Sequence, residues 1–98
     1  IEKENIDYYN DKYKTKIPYI DFRRNIVTEG IELNGLIQKE IKIGDIKILP
    51  YELARPCSHL EQMVNGKHII KEFLKRGGLR CEVLVSGTVK IGDEIKIL

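Results

Sequence analysis

IKIGDIKIL (residues 41–49) and VKIGDEIKIL (residues 89–98) are near copies of one another, and their reading decides the fold. In each, a Gly-Asp pair sits between short β-branched runs that alternate with Lys. That pattern fits a tight hairpin or a sharp strand bend with one buried and one solvated face. Two copies point to a duplicated barrel-type corner. Working outward, LRCEVLVS (79–86) alternates again, with Leu79, Cys81, Val83 and Val85 on one side and Arg80, Glu82 and Leu84 on the other. YIDFRRNIVT (19–28), which follows Pro18, also alternates and predicts a strand.

Helical spacing takes over elsewhere. Residues 2–13 lack Pro and Gly and repeat Ile6, Tyr9 and Tyr13 at the period of an amphipathic helix. In SHLEQMVNG, Ser58 followed three residues on by Glu61 reads as a helix start. HIIKEFLKR (68–76) predicts a second short helix with Ile69, Ile70, Phe73 and Leu74 on one face, ended by Gly77-Gly78. The order of helix, strands, helical insertion and strands predicts a mainly β fold, a small barrel with short helical insertions, in a single domain over 1–98.

Composition agrees. Of 98 residues, 42% are apolar and 33% charged, too apolar for a disordered chain and too short for two domains. No apolar run approaches the ~20 residues that span a bilayer, and the opening IEKENIDYYNDKYK is no signal-peptide core, so a cytoplasmic protein with no membrane partner is expected. A net charge of +2 without an aromatic-basic stripe argues against nucleic acid. The two cysteines, Cys57 and Cys81, are expected as reduced thiols. Zinc is disfavoured, since there is no CxxC and His59 and His68 lack ligand spacing.

Chemistry concentrates around Cys57. Pro56 biases Arg55 to an extended conformation, which places Cys57 where an extended segment meets a helix start. From Arg55 to Arg80 six cations (Arg55, Lys67, Lys71, Lys75, Arg76 and Arg80) face two anions (Glu61 and Glu72). Such a setting favours the thiolate. The residues leave a second reading of Cys57 open, as a small packed apolar residue. Cys81, inside an alternating strand, reads as a core thiol. Arg23 and Arg24 on a strand would place one guanidinium on each face.

Taken together, RRNIVTEGIEL (23–33), KIGDIKIL (42–49), RPCSHLE (55–61) and KRGGLRCEVLVSGTVKIGDEIKIL (75–98) resemble the MOSC domain, the module named after the C-terminal part of molybdenum cofactor sulfurase. The resemblance implies a β-barrel-like fold and a reactive cysteine, Cys57, that carries sulfur as a persulfide for delivery to a metal-sulfur or molybdenum cofactor centre. In the amidoxime-reducing relatives the equivalent cysteine ligates molybdenum, so Cys57 is also the implied metal ligand if that cofactor binds. Arg23, Arg24 and Asn25 are the implied cofactor contacts, joined by Arg55 from the basic run. The implied partners are a cysteine desulfurase-type sulfur donor or a molybdoenzyme acceptor. No pyridoxal phosphate is expected, because the desulfurase domain of the full sulfurases has no counterpart here. Nor do the strands that the family carries upstream of the Arg-Arg-Asn segment. Sulfur carrier, molybdenum cofactor-binding domain and non-catalytic protein-binding barrel are the three readings carried forward, and whether the chain is an enzyme stays open.

Overall fold

A computed structural model describes residues 1–55 and 68–98. The first Ile-Gly-Asp segment is a hairpin. Strand β1 (Ile41–Ile43) turns through Gly44-Asp45 into β2 (Ile46–Leu53), with Ile43 opposite Ile46. Gly44 has φ +55°, the positive value that the first position of such a two-residue turn demands. The second segment is a bend and not a hairpin. Residues 86–90 have no strand pairing, and a turn at Ile91-Gly92 leads into β4 (Ile95–Ile97). β4 pairs with β1 (Ile41 opposite Ile97), while β3 (Leu79–Val85) pairs with β2. The result is one antiparallel sheet in the order β3-β2-β1-β4.

That sheet is open. The expected barrel does not close among the described residues, where β3 and β4 are edges. Closure needs tilted, staggered strands in larger number, and β1 and β4 are three residues each.

Two apolar cores result. The sheet buries Ile41, Ile43 and Ile48 against Leu33 and Leu36. Helix α1 (Lys3–Tyr13) and the short α2 (Ile69–Phe73) bury Ile6, Tyr9, Ile69 and Phe73 with Ile1 and Phe22. Rings carry much of the second core: Phe73 lies 5.6 Å from Tyr9 and 5.0 Å from Phe22 between centroids. Such pairs add to area burial.

Residues 19–28 are not a strand. Tyr19–Phe22 is a 3₁₀ turn, and Arg23 follows with φ +54°. The reason is packing: Phe22 is fully buried on Phe73, and the Tyr19 hydroxyl donates to Asp7 at 2.6 Å. The apolar face of α2 also differs from expectation. Ile69 and Phe73 are buried, but Ile70 and Leu74 face outward, since Glu72 takes the inward position beside them. On β3, Leu79 and Cys81 pack on the sheet core as the alternation predicts, whereas Val83 and Val85 are exposed. The expected helix start at Ser58 and Glu61 lies outside the described residues.

Glu72 accepts hydrogen bonds from Lys12 Nζ (3.0 Å), the Tyr13 hydroxyl (3.2 Å) and Arg76 Nη1 (3.5 Å). These donors, Lys12 foremost, hold its carboxyl below the usual range against the opposing cost of burial. The folded carboxyl therefore stays charged at a pH where the unfolded one (about 4.3) is protonated, so its contribution is present above that value and fades as pH falls through the folded pKa. Glu72→Gln should lower the melting temperature at pH 7, and the deficit should shrink at pH 3. A deficit of equal size at both pH values would contradict this. Phe73→Ala should cost about 3–5 kcal/mol in urea unfolding, the usual penalty for deleting a buried aromatic ring.

Candidate functional site

A cavity of about 890 Å³ opens on the inner face of the sheet. Its floor is apolar, with Ile41, Ile43 and Ile48 from β1 and β2 and Leu79 and Cys81 from β3. Arg23, Arg24, Asn25 and Thr28 border it on one side, Arg55 and Arg80 on another. The four cofactor contacts implied from sequence thus come to one cavity. They do so from a loop and from the segment after β2, not from a strand presenting one guanidinium to each face.

Local structure explains each placement. The 3₁₀ turn, pinned by Phe22, ends in the left-handed Arg23, which redirects the chain along the cavity. Arg24 donates through Nε to the Gly77 carbonyl (2.9 Å) and through Nη1 to that of Phe22 (3.5 Å). It is a tie between two loops as well as a wall of the cavity. Gly77 leaves room for the backbone of Ala54, because a Cβ there would fall on the Ala54 carbonyl oxygen and 3.0 Å from that of Phe73. Ala54 in turn donates its N–H to Gly78 (2.9 Å), which holds the end of β2 against the start of β3. Arg55 is the last residue described before Cys57, which lies outside the described residues with the rest of 56–67.

The guanidinium groups differ in how they are compensated. Arg80 pairs with Glu52 at 3.2 Å. Arg23 and Arg55 make no ion pair among the described residues. Ile1 also borders the cavity, and its backbone nitrogen donates to the Ile26 carbonyl at 3.0 Å. Unpaired guanidinium groups beside an apolar floor can hold a phosphate or stabilise a thiolate.

Arg80 and Thr28 were not picked from the sequence as cavity residues. Strand alternation assigns Arg80 to the solvated face, and nothing local marks Thr28, which is buried where it bridges to Glu2. A second cavity, of about 580 Å³, is lined by Glu2, Glu32, Lys71, Lys75 and Arg76, so these three cations of the basic run do not border the first cavity. Among the described residues, no group of three or more His, Cys, Asp or Glu could hold a metal ion, and no helix is long and apolar enough to cross a membrane.

Comparison with known proteins now bears on the class. The MOSC domain family model matches residues 1–96, and the chain belongs to that family. YiiM from Geobacillus stearothermophilus superposes with a TM-score of 0.86 at 18% identity, covering 99% of this chain and 51% of that one. For YiiM from Escherichia coli the values are 0.81, 16%, 99% and 51%. A third crystal structure, described as a hypothetical protein, gives 0.81, 17%, 98% and 48%. At these identities the likeness shows the fold, and the chain spans about half the length of those proteins. No curated protein matches.

Burial raises the pKa of the Cys81 thiol. In a Cys57→Ser chain, Cys81 should therefore alkylate more slowly when folded than in urea, with its rate rising at a higher pH. Equal rates in the two states would show that Cys81 is open to solvent.

Proposed function

We propose that this MOSC domain carries sulfur as a persulfide on Cys57, the residue two beyond the cavity's Arg55 in the chain. One observation supports this above the others: Arg23 and Arg55 reach the same cavity from separate parts of the chain without an acidic partner among the described residues, and Arg55 stands two residues before Cys57. Nearby guanidinium charge lowers a thiol pKa below its free value of about 8.5 and favours the attacking form. The Cys57 thiolate attacks the terminal sulfur of a donor persulfide. A new S–S bond forms on Cys57, the donor's S–S bond breaks, and the donor leaves as a thiolate. On delivery, a nucleophilic acceptor takes the terminal sulfur and Cys57 departs as a thiolate again. A cysteine desulfurase-type enzyme is the fitting donor and a molybdoenzyme the fitting acceptor.

A second reading, a molybdenum cofactor-binding domain, draws support from the cavity's size and donor set. Arg23 and Arg55 suit a phosphate, Asn25 and Arg24 border it, and the apolar floor suits a ring system. Cys57 would be the soft ligand to molybdenum. When bound, the cofactor would supply redox chemistry at the metal. The chain's own residues would bind and orient it and shield it from water on the isoleucine side.

Incubation with a cysteine desulfurase and cysteine, followed by intact-mass and peptide mapping, tests the first reading. The expected result is added sulfur on Cys57, lost in Cys57→Ser. Sulfur on Cys81 alone, or on neither, contradicts it. Arg55→Ala should slow alkylation of Cys57 at pH 7, more at low salt, while Lys90→Ala and Lys96→Ala leave it nearly unchanged. Equal effects from all three would mean that net charge alone is acting.

A further inference from the structure

Strand β3 (Leu79–Val85) pairs on one side only, with β2, among the described residues. Its far end is apolar and open: Val83 is 60%, Leu84 40% and Val85 51% exposed. Edge strands are commonly blunted by Pro or Lys, and β3 has neither. Its two charges, Arg80 and Glu82, are opposite in sign and share one face of the strand.

We propose that β3 docks against β3 of a second copy of this chain, antiparallel about a two-fold axis at Cys81. A two-fold normal to the sheet opposes residues of equal parity. Centred on Cys81, it sets Arg80 opposite Glu82 of the partner subunit, Glu82 opposite Arg80 of the partner subunit, and Leu79 opposite Val83 of the partner subunit. Centring on Arg80 or Glu82 opposes like charges, and centring on Val83 leaves Glu82 facing a leucine. Of these registers only the one at Cys81 matches both charges. The same face already carries such a pair, since Arg80 meets Glu52 across β2 at 3.2 Å. Glu82 has no ion pair among the described residues, and the second copy supplies one. Leu79, Cys81 and Val83 border the cavity, so the partner strand extends its wall and covers the exposed Val83. This inference rests on the sheet and its charges and is independent of sulfur chemistry at Cys57.

Light scattering on the purified chain, with circular dichroism to verify folding, tests the pairing. The wild-type chain should be a dimer at micromolar concentration. Arg80→Glu and Glu82→Arg should each weaken the dimer roughly tenfold or more, because both opposed pairs become like-charged. An equimolar mixture of the two variants should associate again, since every opposed pair is then Glu with Arg. Should either variant fail to fold, Arg80→Gln and Glu82→Gln decide instead: each removes the charge from both opposed pairs and should weaken the dimer severalfold. A monomeric wild-type chain, folded variants that leave the dimer unchanged, or charge-reversed variants that do not re-associate on mixing overturns the proposal.

Discussion

The fold depends on the meeting of the two Ile-Gly-Asp segments. Asp93 accepts the Lys90 N–H at 2.8 Å and, with the Thr88 carbonyl, occupies the space that a Cβ on Gly44 would need. Asp45 donates its N–H to Thr88 at 3.2 Å, and Gly87 lies so close to Asp45 that an added Cβ would fall 2.7 Å from its side chain. These contacts bring the final segment alongside the first hairpin. β4 can then pair with β1, which turns Ile41 and Ile43 into buried residues of a central strand. Glycine is required at position 44 on two counts, its positive φ and the absence of space.

The cavity inherits its floor from that sheet and its rim from the second core. Phe22, clamped on Phe73, fixes where the chain leaves the 3₁₀ turn, and Arg24 ties the same loop to Gly77 at 2.9 Å. Helix packing thereby sets the positions of Arg23 and Asn25, although neither helix borders the cavity. A loosened aromatic core would reach the site through this route, without touching any residue on the cavity wall.

Much of this was legible in the sequence. The near-repeat located both turns, alternation located β3, and periodicity located α1 and α2, because each signal is local and agrees with the final packing. The strand expected at residues 19–28 failed, since Phe22 gains more from burial against Phe73 than the segment gains from pairing in a sheet. Ile70 and Leu74 were assigned inward by spacing, but Glu72 meets Lys12 and Tyr13 from a distant helix, a contact that no local pattern reveals. Family resemblance marks Arg23, Arg24 and Asn25 and the basic run adds Arg55, and all four border the one cavity. Arg80 was hidden because its alternation marks it as solvated, although it borders the cavity at the strand edge.

The central claim is the proposal that Cys57, two residues beyond Arg55, is a reactive thiolate. Titrating the ultraviolet thiolate absorbance of a Cys81→Ala chain, folded and in urea, tests it most directly. A folded pKa below the free-thiol value of about 8.5, and moving toward it as salt is raised, is the expected result. A folded pKa at or above the value in urea, insensitive to salt, would make Cys57 a packed apolar residue and contradict the claim.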